Sequence, residues 1–304
     1  MEEIKNLNEA FKVYNLNDDP DISKKILDYI LSRLLDNQFQ INELNDIVKE
    51  GVSFDDILNS FKEAYRETDY YKVHDSIIQG KDYYVGKYPV PVGNIVVETN
   101  NVLDVVKYFV LGIKSRNTIT ISQTEYNDSS LSNMMLIIFG EAISKFGLDK
   151  NMLQILPFED CFYEYYDEVI EIENSDEVLK QKPFVEKYII YDNDGSFKEN
   201  IEQEAKLLKE KNKEYEIIDG SLDEVITYIN NIRPIGTSIF TQESDIAYQF
   251  VNLTHSPNTF VNSSLLNAED EIEKKNKLYF IKKVMFPSGK DFDLEKYLKE
   301  YETL

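Results

Sequence analysis

VPVGNIVVETNNVLDVVKYFVLGIKSRNTITISQTEYNDSSLSNMMLIIFGEAISKFGLDKNMLQIL, Val90 to Leu156, is the stretch whose periodicity decides the fold. Short apolar runs of strand length alternate along it with apolar residues at helical spacing. Asn94–Glu98 reads as a strand, Val102–Lys114 as a helix, Thr118–Ser122 as a strand, Ser129–Phe146 as a long helix and Met152–Leu156 as a strand. Asp128 is placed to cap the long helix and Gly147 to end it. Strands alternating with helices form βαβ units, and so a parallel sheet with right-handed crossovers.

Upstream, three helical patterns run from Asp21 to Thr68. Ile22, Ile26, Leu27, Tyr29, Ile30 and Leu34 repeat at helical spacing, and Ser53 stands as an N-cap before Phe54. Tyr70–Val92 is tyrosine-rich and carries Pro89 and Pro91, which disfavour helix in the residues before them, so an edge strand or connecting arm is expected. Downstream, an acidic connection, Glu159–Asp176, leads to a second alternating region. Its strands are expected near Val185–Tyr191, Glu214–Ile218, Thr237–Thr241 and Asn258–Asn262. Helices over Ser196–Lys211, Leu222–Asn231 and Glu243–Leu253 fill the gaps, the last with Ile246, Ala247, Phe250 and Val251 inward. After Leu265 a tail ends in an exposed helix from Asp293. Four segments result: helical residues 1–69, an α/β region over 70–176, a second over 177–264, and the tail over 265–304.

Charge and composition exclude several classes of function. Against 33 basic side chains stand 56 acidic ones, a net charge of −23. That balance repels nucleic acid and anionic membrane surfaces, whose binding depends on Lys and Arg. No stretch approaches the roughly 18 apolar residues of a membrane span, and residues 1–16 lack the pattern of a signal peptide, so a cytoplasmic protein is expected. In that compartment the Asn-x-Ser/Thr triplets at Asn127, Asn252 and Asn262 carry no glycosylation. Cys161 is the single cysteine, which excludes an internal disulfide, and with only His74 and His255 as histidines no metal site is expected. Neither a Walker loop nor a Gly-x-Gly-x-x-Gly fingerprint is present. His255 reads as a core or helix-end residue, and the tyrosines at Tyr83, Tyr84 and within 163–166 as packing surfaces.

Three blocks carry a resemblance. IIQGKDYYVGKYPVPVGNIVVET (77–99) has Pro91 and Gly93 before the first strand and Glu98 at its close. IKSRNTITIS (113–122) has a Lys-Ser-Arg-Asn turn and second strand. TSIFTQESDIAYQFVNLTHSPNTFVNSS (237–264) contains Phe260, Val261, Asn262 and Ser264. Together they cover about half the chain and resemble the aldehyde dehydrogenase superfamily, most nearly the glutamate-5-semialdehyde dehydrogenases (gamma-glutamyl phosphate reductases), in a truncated and degenerate form. The resemblance implies an α/β, aldehyde-dehydrogenase-like fold with Rossmann-type parallel sheets behind a helical N-terminal segment. It also places Glu98, Ser122 and Asn262 at positions where the family binds cofactor or substrate.

Departures from the family pattern shape the functional expectation. Where the family has a Lys or Arg contacting the cofactor, this chain has Ser122 followed by Gln123, which removes a charge-assisted phosphate contact. Where the family has a glycine-rich turn opening a helix, residues 157–184 contain no glycine. At the expected position of the nucleophilic cysteine stands Lys182 or Pro183. Cys161 is the remaining thiol candidate, but Glu159, Asp160, Glu164 and Asp167 surround it in sequence and disfavour the thiolate. A degenerate aldehyde-dehydrogenase-like binding or assembly protein is therefore expected, without hydride transfer or a bound cofactor, acting with a protein partner or as a homo-oligomer. The alternative is an active reductase of the family, which would use NADP or NAD.

Overall fold

A computed structural model describes residues 2–287 apart from 18, 49–50, 68–75, 80–82, 125–129, 159–160, 162, 164–165, 174–175, 194, 264, 266–273 and 277. Four helices open the chain: α1 (Glu2–Asn15), α2 (Ile22–Asp36), α3 (Gln38–Val48) and α4 (Phe54–Arg66). A hairpin of β1 (Ser76–Gln79) and β2 (Tyr83–Pro91) follows, then β3 (Asn94–Glu98), α5 (Val102–Ser115), β4 (Thr118–Gln123), α6 (Ser130–Lys145) and β5 (Leu153–Pro157). Next come β6 (Glu168–Glu173), β7 (Asp176–Gln181), β8 (Val185–Asp192), α7 (Lys198–Glu210), β9 (Tyr215–Ile218) and α8 (Leu222–Ile232). The chain closes with β10 (Pro234–Phe240), α9 (Ser244–Leu253), β11 (Asn258–Val261), β12 (Lys274–Asn276) and β13 (Tyr279–Pro287). Among the described residues, no helix is long and apolar enough to cross a membrane.

The chain divides into two compact units. The first joins Met1–Tyr71 with Pro91–Lys182, and the second joins Lys72–Val90 with Pro183–Leu304. In the first, a five-stranded sheet has the order β5-β4-β3-β6-β7, parallel except for the β6–β7 hairpin. β4 is buried along its whole length, as parallel strands covered on both faces are. Phe61 of α4, Phe109 of α5 and Phe139 of α6 meet in one aromatic cluster. Leu7 of α1 packs with Val96 of β3 and Val169 of β6.

Local chemistry explains the element ends. Ser53 caps α4 through a capping box with Asp56, and Phe54, Ile57, Phe61 and Ala64 are buried at helical spacing behind it. Asn101 caps α5 by accepting from Leu103 N. At the far end of α5, Arg116 takes a left-handed conformation (φ 56°), and its guanidinium donates to the carbonyls of Tyr14, Asn17 and Asp19. That buried fork fastens the chain after α1 to the end of α5. Gly147 (φ +77°) follows α6 as expected, while Asp128 lies outside the described residues.

Several elements depart from the sequence reading. α1 precedes the three helical patterns but lies within the segment read as helical. The acidic connection expected over 159–176 contains β6, which pairs in parallel with β3. The expected tail contains β13, which occupies the interior of the second unit's sheet, while its expected helix from Asp293 lies outside the described residues. That second sheet has the order β1-β2-β13-β11-β10-β8-β9, with β12 on β13, and is parallel from β13 through β9. Tyr188, Ile190, Leu208, Phe240 and Phe260 form part of its core. On α9, Ala247, Phe250 and Val251 are buried, whereas Ile246 is half-buried.

Candidate functional site

The chain leaves β3 for β4 and β5 on one side, then returns as β6 on the other side of β3. In such sheets ligands enter the crevice outside the carboxyl ends of the strands, where the order reverses. A cleft of about 630 Å³ lies there in the first unit. Its walls come from the end of β3 and the start of α5 (Glu98, Thr99, Asn100, Asn101, Asp104, Lys107), the end of β4 (Ser122, Thr124), Phe158 after β5, and Ile172 and Glu177 of the hairpin.

The polar groups of this cleft are engaged with one another. Asn100 Nδ2 donates to Thr124 Oγ1 at 2.7 Å, and Asn100 Oδ1 accepts from Thr124 N at 3.0 Å. Thr99 Oγ1 lies 3.0 Å from Asp104 Oδ2 and accepts from Asn101 N at 3.1 Å. Lys107, the one cation among the described lining residues, makes a 2.7 Å ion pair with Glu177. Glu98 and Ser122 are register partners on β3 and β4, and both approach the hydroxyl of Tyr163. Burial, and then the hydrogen bond to Glu98, push the Tyr163 phenol above its ordinary range. The positive end of α5 is capped by Asn101 and has Asp104 in its first turn.

The structure brings two of the sequence-predicted site residues, Glu98 and Ser122, to the cleft. Gln123 is not part of its lining and donates to Ser132 Oγ instead. Cys161 is also absent from the lining: it is buried among Leu7, Val96, Tyr166 and Val169. Lys182 sits at the other end of the sheet. Its N–H donates to Asp167 O at 3.1 Å, and Asp167 N donates to Asn94 O at 2.8 Å. Asn94 and Glu98 bound β3, so about 13 Å of strand separates that corner from the cleft.

Asn262 belongs to the second unit, where it has a left-handed backbone (φ 48°) after β11. Its amide accepts from Thr241 N at 2.9 Å and donates to Thr241 O at 2.7 Å, a structural clasp on the end of β10. His255 is buried after α9, and its backbone N donates to Asn230 Oδ1. His74 and Tyr165 lie outside the described residues, as do the side chains of Tyr83 and Tyr84. Among the described residues no group of three or more His, Cys, Asp or Glu is arranged to hold a metal ion. Sequence reasoning missed Asp104, Lys107, Glu177 and Thr124. The available signal was positional, because these residues follow strand ends or pair with residues that do.

No protein-family model matches the sequence, and no curated protein sequence matches it significantly. Solved structures do. Gamma-glutamyl phosphate reductase from Saccharomyces cerevisiae aligns over 95% of this chain and 97% of its own, at 15% identity and a TM-score of 0.51. The enzyme of the same name from Thermotoga maritima aligns over 94% and 97%, at 15% identity and a TM-score of 0.52. The chain thus shares the α/β fold of these two gamma-glutamyl phosphate reductases.

Proposed function

We propose that this chain uses the reductase fold as a cytoplasmic binding or assembly protein and transfers no hydride. The observation that carries this reading is the mutual engagement of the cleft's polar groups. Three carboxylates, Glu98, Asp104 and Glu177, face one ammonium, Lys107, which Glu177 already holds. A dinucleotide brings a charged pyrophosphate, and phosphate recognition relies on free N–H groups and cations. Here the helix end offered to it is already capped and faces Asp104. The only thiol, Cys161, is buried away from the lining, and nucleophilic attack needs an accessible thiolate.

The discriminating assay supplies the purified chain with NADPH or NADH and gamma-glutamyl phosphate, the substrate in the name of its structural neighbours. A Cys161→Ser variant is run beside it. Cofactor oxidation no faster than the protein-free rate in both is the expected result. Turnover that disappears in Cys161→Ser would instead establish an active NADP- or NAD-dependent reductase.

A further inference from the structure

We infer, building on the reading of the cleft as a binding site without hydride transfer, that it takes an aliphatic diamine, one ammonium on Glu98 and the other on Asp104. Charge selects a cation. Among the described lining residues Glu98, Asp104 and Glu177 face Lys107 alone, three negative charges against one positive, a net charge of −2. Lys107 and Glu177 answer each other across 2.7 Å, which leaves the excess on Glu98 and Asp104. Both are half-buried, where unbalanced charge costs more than it does in open water. Glu98 accepts the hydroxyl of Tyr163 and Asp104 that of Thr99. A carboxylate has about four acceptor sites, so each has room for a donor from a ligand.

A second feature, separate from the acids, also points to a bound donor. Ser122 is 2% exposed and yet lines the cleft, and its Oγ lies 3.5 Å from Tyr163 Oη. An O–H···O bond spans roughly 2.5–3.0 Å, so this buried hydroxyl makes only a stretched contact with the protein. Its lone pairs, beside its register partner Glu98, suit an ammonium with three donors. A metal ion fits less well, because among the described residues no three acids converge to hold one. Carboxylates that share a cleft without converging on a point suit a ligand whose own charges are held apart. The cleft also has an apolar wall, formed by Ile172 and by Phe158, which is 42% exposed and packs on Tyr163 at 5.9 Å between ring centroids. Methylenes laid on that wall leave water, and two ammoniums cancel the excess charge.

Equilibrium dialysis of the full chain against radiolabelled putrescine tests the site, in about 0.15 M salt to screen the diffuse attraction of a chain of net charge −23. One molecule per chain is expected, with a Kd of about 10 to 100 µM. Butylamine, with a single ammonium, and magnesium chloride should compete at least about tenfold more weakly. Glu98→Gln and Asp104→Asn keep the side-chain size and an acceptor for Tyr163 and Thr99, and each should weaken retention at least about tenfold. Glu202→Gln, an exposed change on α7, should leave it unaltered. Far-ultraviolet circular dichroism verifies that the variants fold. No saturable retention up to about 1 mM, undiminished retention in the cleft variants, or equal competition by butylamine or magnesium would overturn the inference. Radiolabelled NADPH in a parallel cell separates the two readings of the cleft. Retention of NADPH would sink the reading without hydride transfer, whereas retention of neither ligand would sink the diamine alone.

Discussion

Lys282 Nζ lies 2.7 Å from Thr254 O and 3.0 Å from Thr254 Oγ1, and it also donates to Val251 O, so a fully buried amino group closes the end of α9. It meets three acceptors, among them a carbonyl from the last turn of the helix. Replacing Lys282 with Met leaves those acceptors buried without a donor and should cost about 1–3 kcal/mol, read by urea denaturation.

The same residue gives a pH dependence. Burial holds its pKa well below the ordinary 10.5. Between the folded and unfolded values the unfolded chain binds the proton more, so raising the pH favours the folded state. The stability of the wild type relative to Lys282→Met should therefore grow as pH rises toward 10.5. A pH-independent difference would mean that the three acceptors keep the folded ammonium fully charged.

Gly112 lets α5 lie against β4. A Cβ there would meet Ile119 Cγ1 at less than contact distance, with Ile119 Cδ1 at 3.3 Å. Gly112→Ala gains helix propensity but forces this contact apart, so a net loss of about 1–3 kcal/mol is expected in thermal or chemical unfolding. An unchanged midpoint would show that Ile119 repacks freely.

Cys161 should behave as a core residue. In the native chain its reaction with a disulfide reagent such as DTNB should run about 100-fold or more slower than in urea, where one thiol per chain titrates. Rapid native labelling would place the thiol at the surface and revive it as a nucleophile.

The parts legible in the sequence were those whose signals are local. β3, α5, β4, α6 and β5 were readable because apolar runs and helical spacing sit in one stretch, and Ser53 announces α4 through a capping box with its own neighbour. α1 fell within the segment read as helical but was not delimited as an element, because Leu7, Ala10, Phe11 and Tyr14 are set among Asn, Glu and Lys, which dilute its apolar stripe. β6, EVIEIE, has three glutamates that made it look like a solvated connection, although Glu168 is fully buried. β13 carries Lys282, and a lysine in a fully buried position runs against the usual preference of its type. At the site, Glu98 and Ser122 were readable from a resemblance, whereas the Lys107–Glu177 pair joins residues 70 positions apart and exists only through sheet topology.

Isothermal titration calorimetry of the intact protein with NADPH and then NADH decides whether the cleft at the carboxyl ends of β3 and β4 holds a dinucleotide. The expected result is no saturable heat up to about 1 mM. Saturable one-to-one binding in the micromolar range, lost when the cleft is altered by Ser122→Trp, would contradict it and return the protein to the cofactor-dependent reductases.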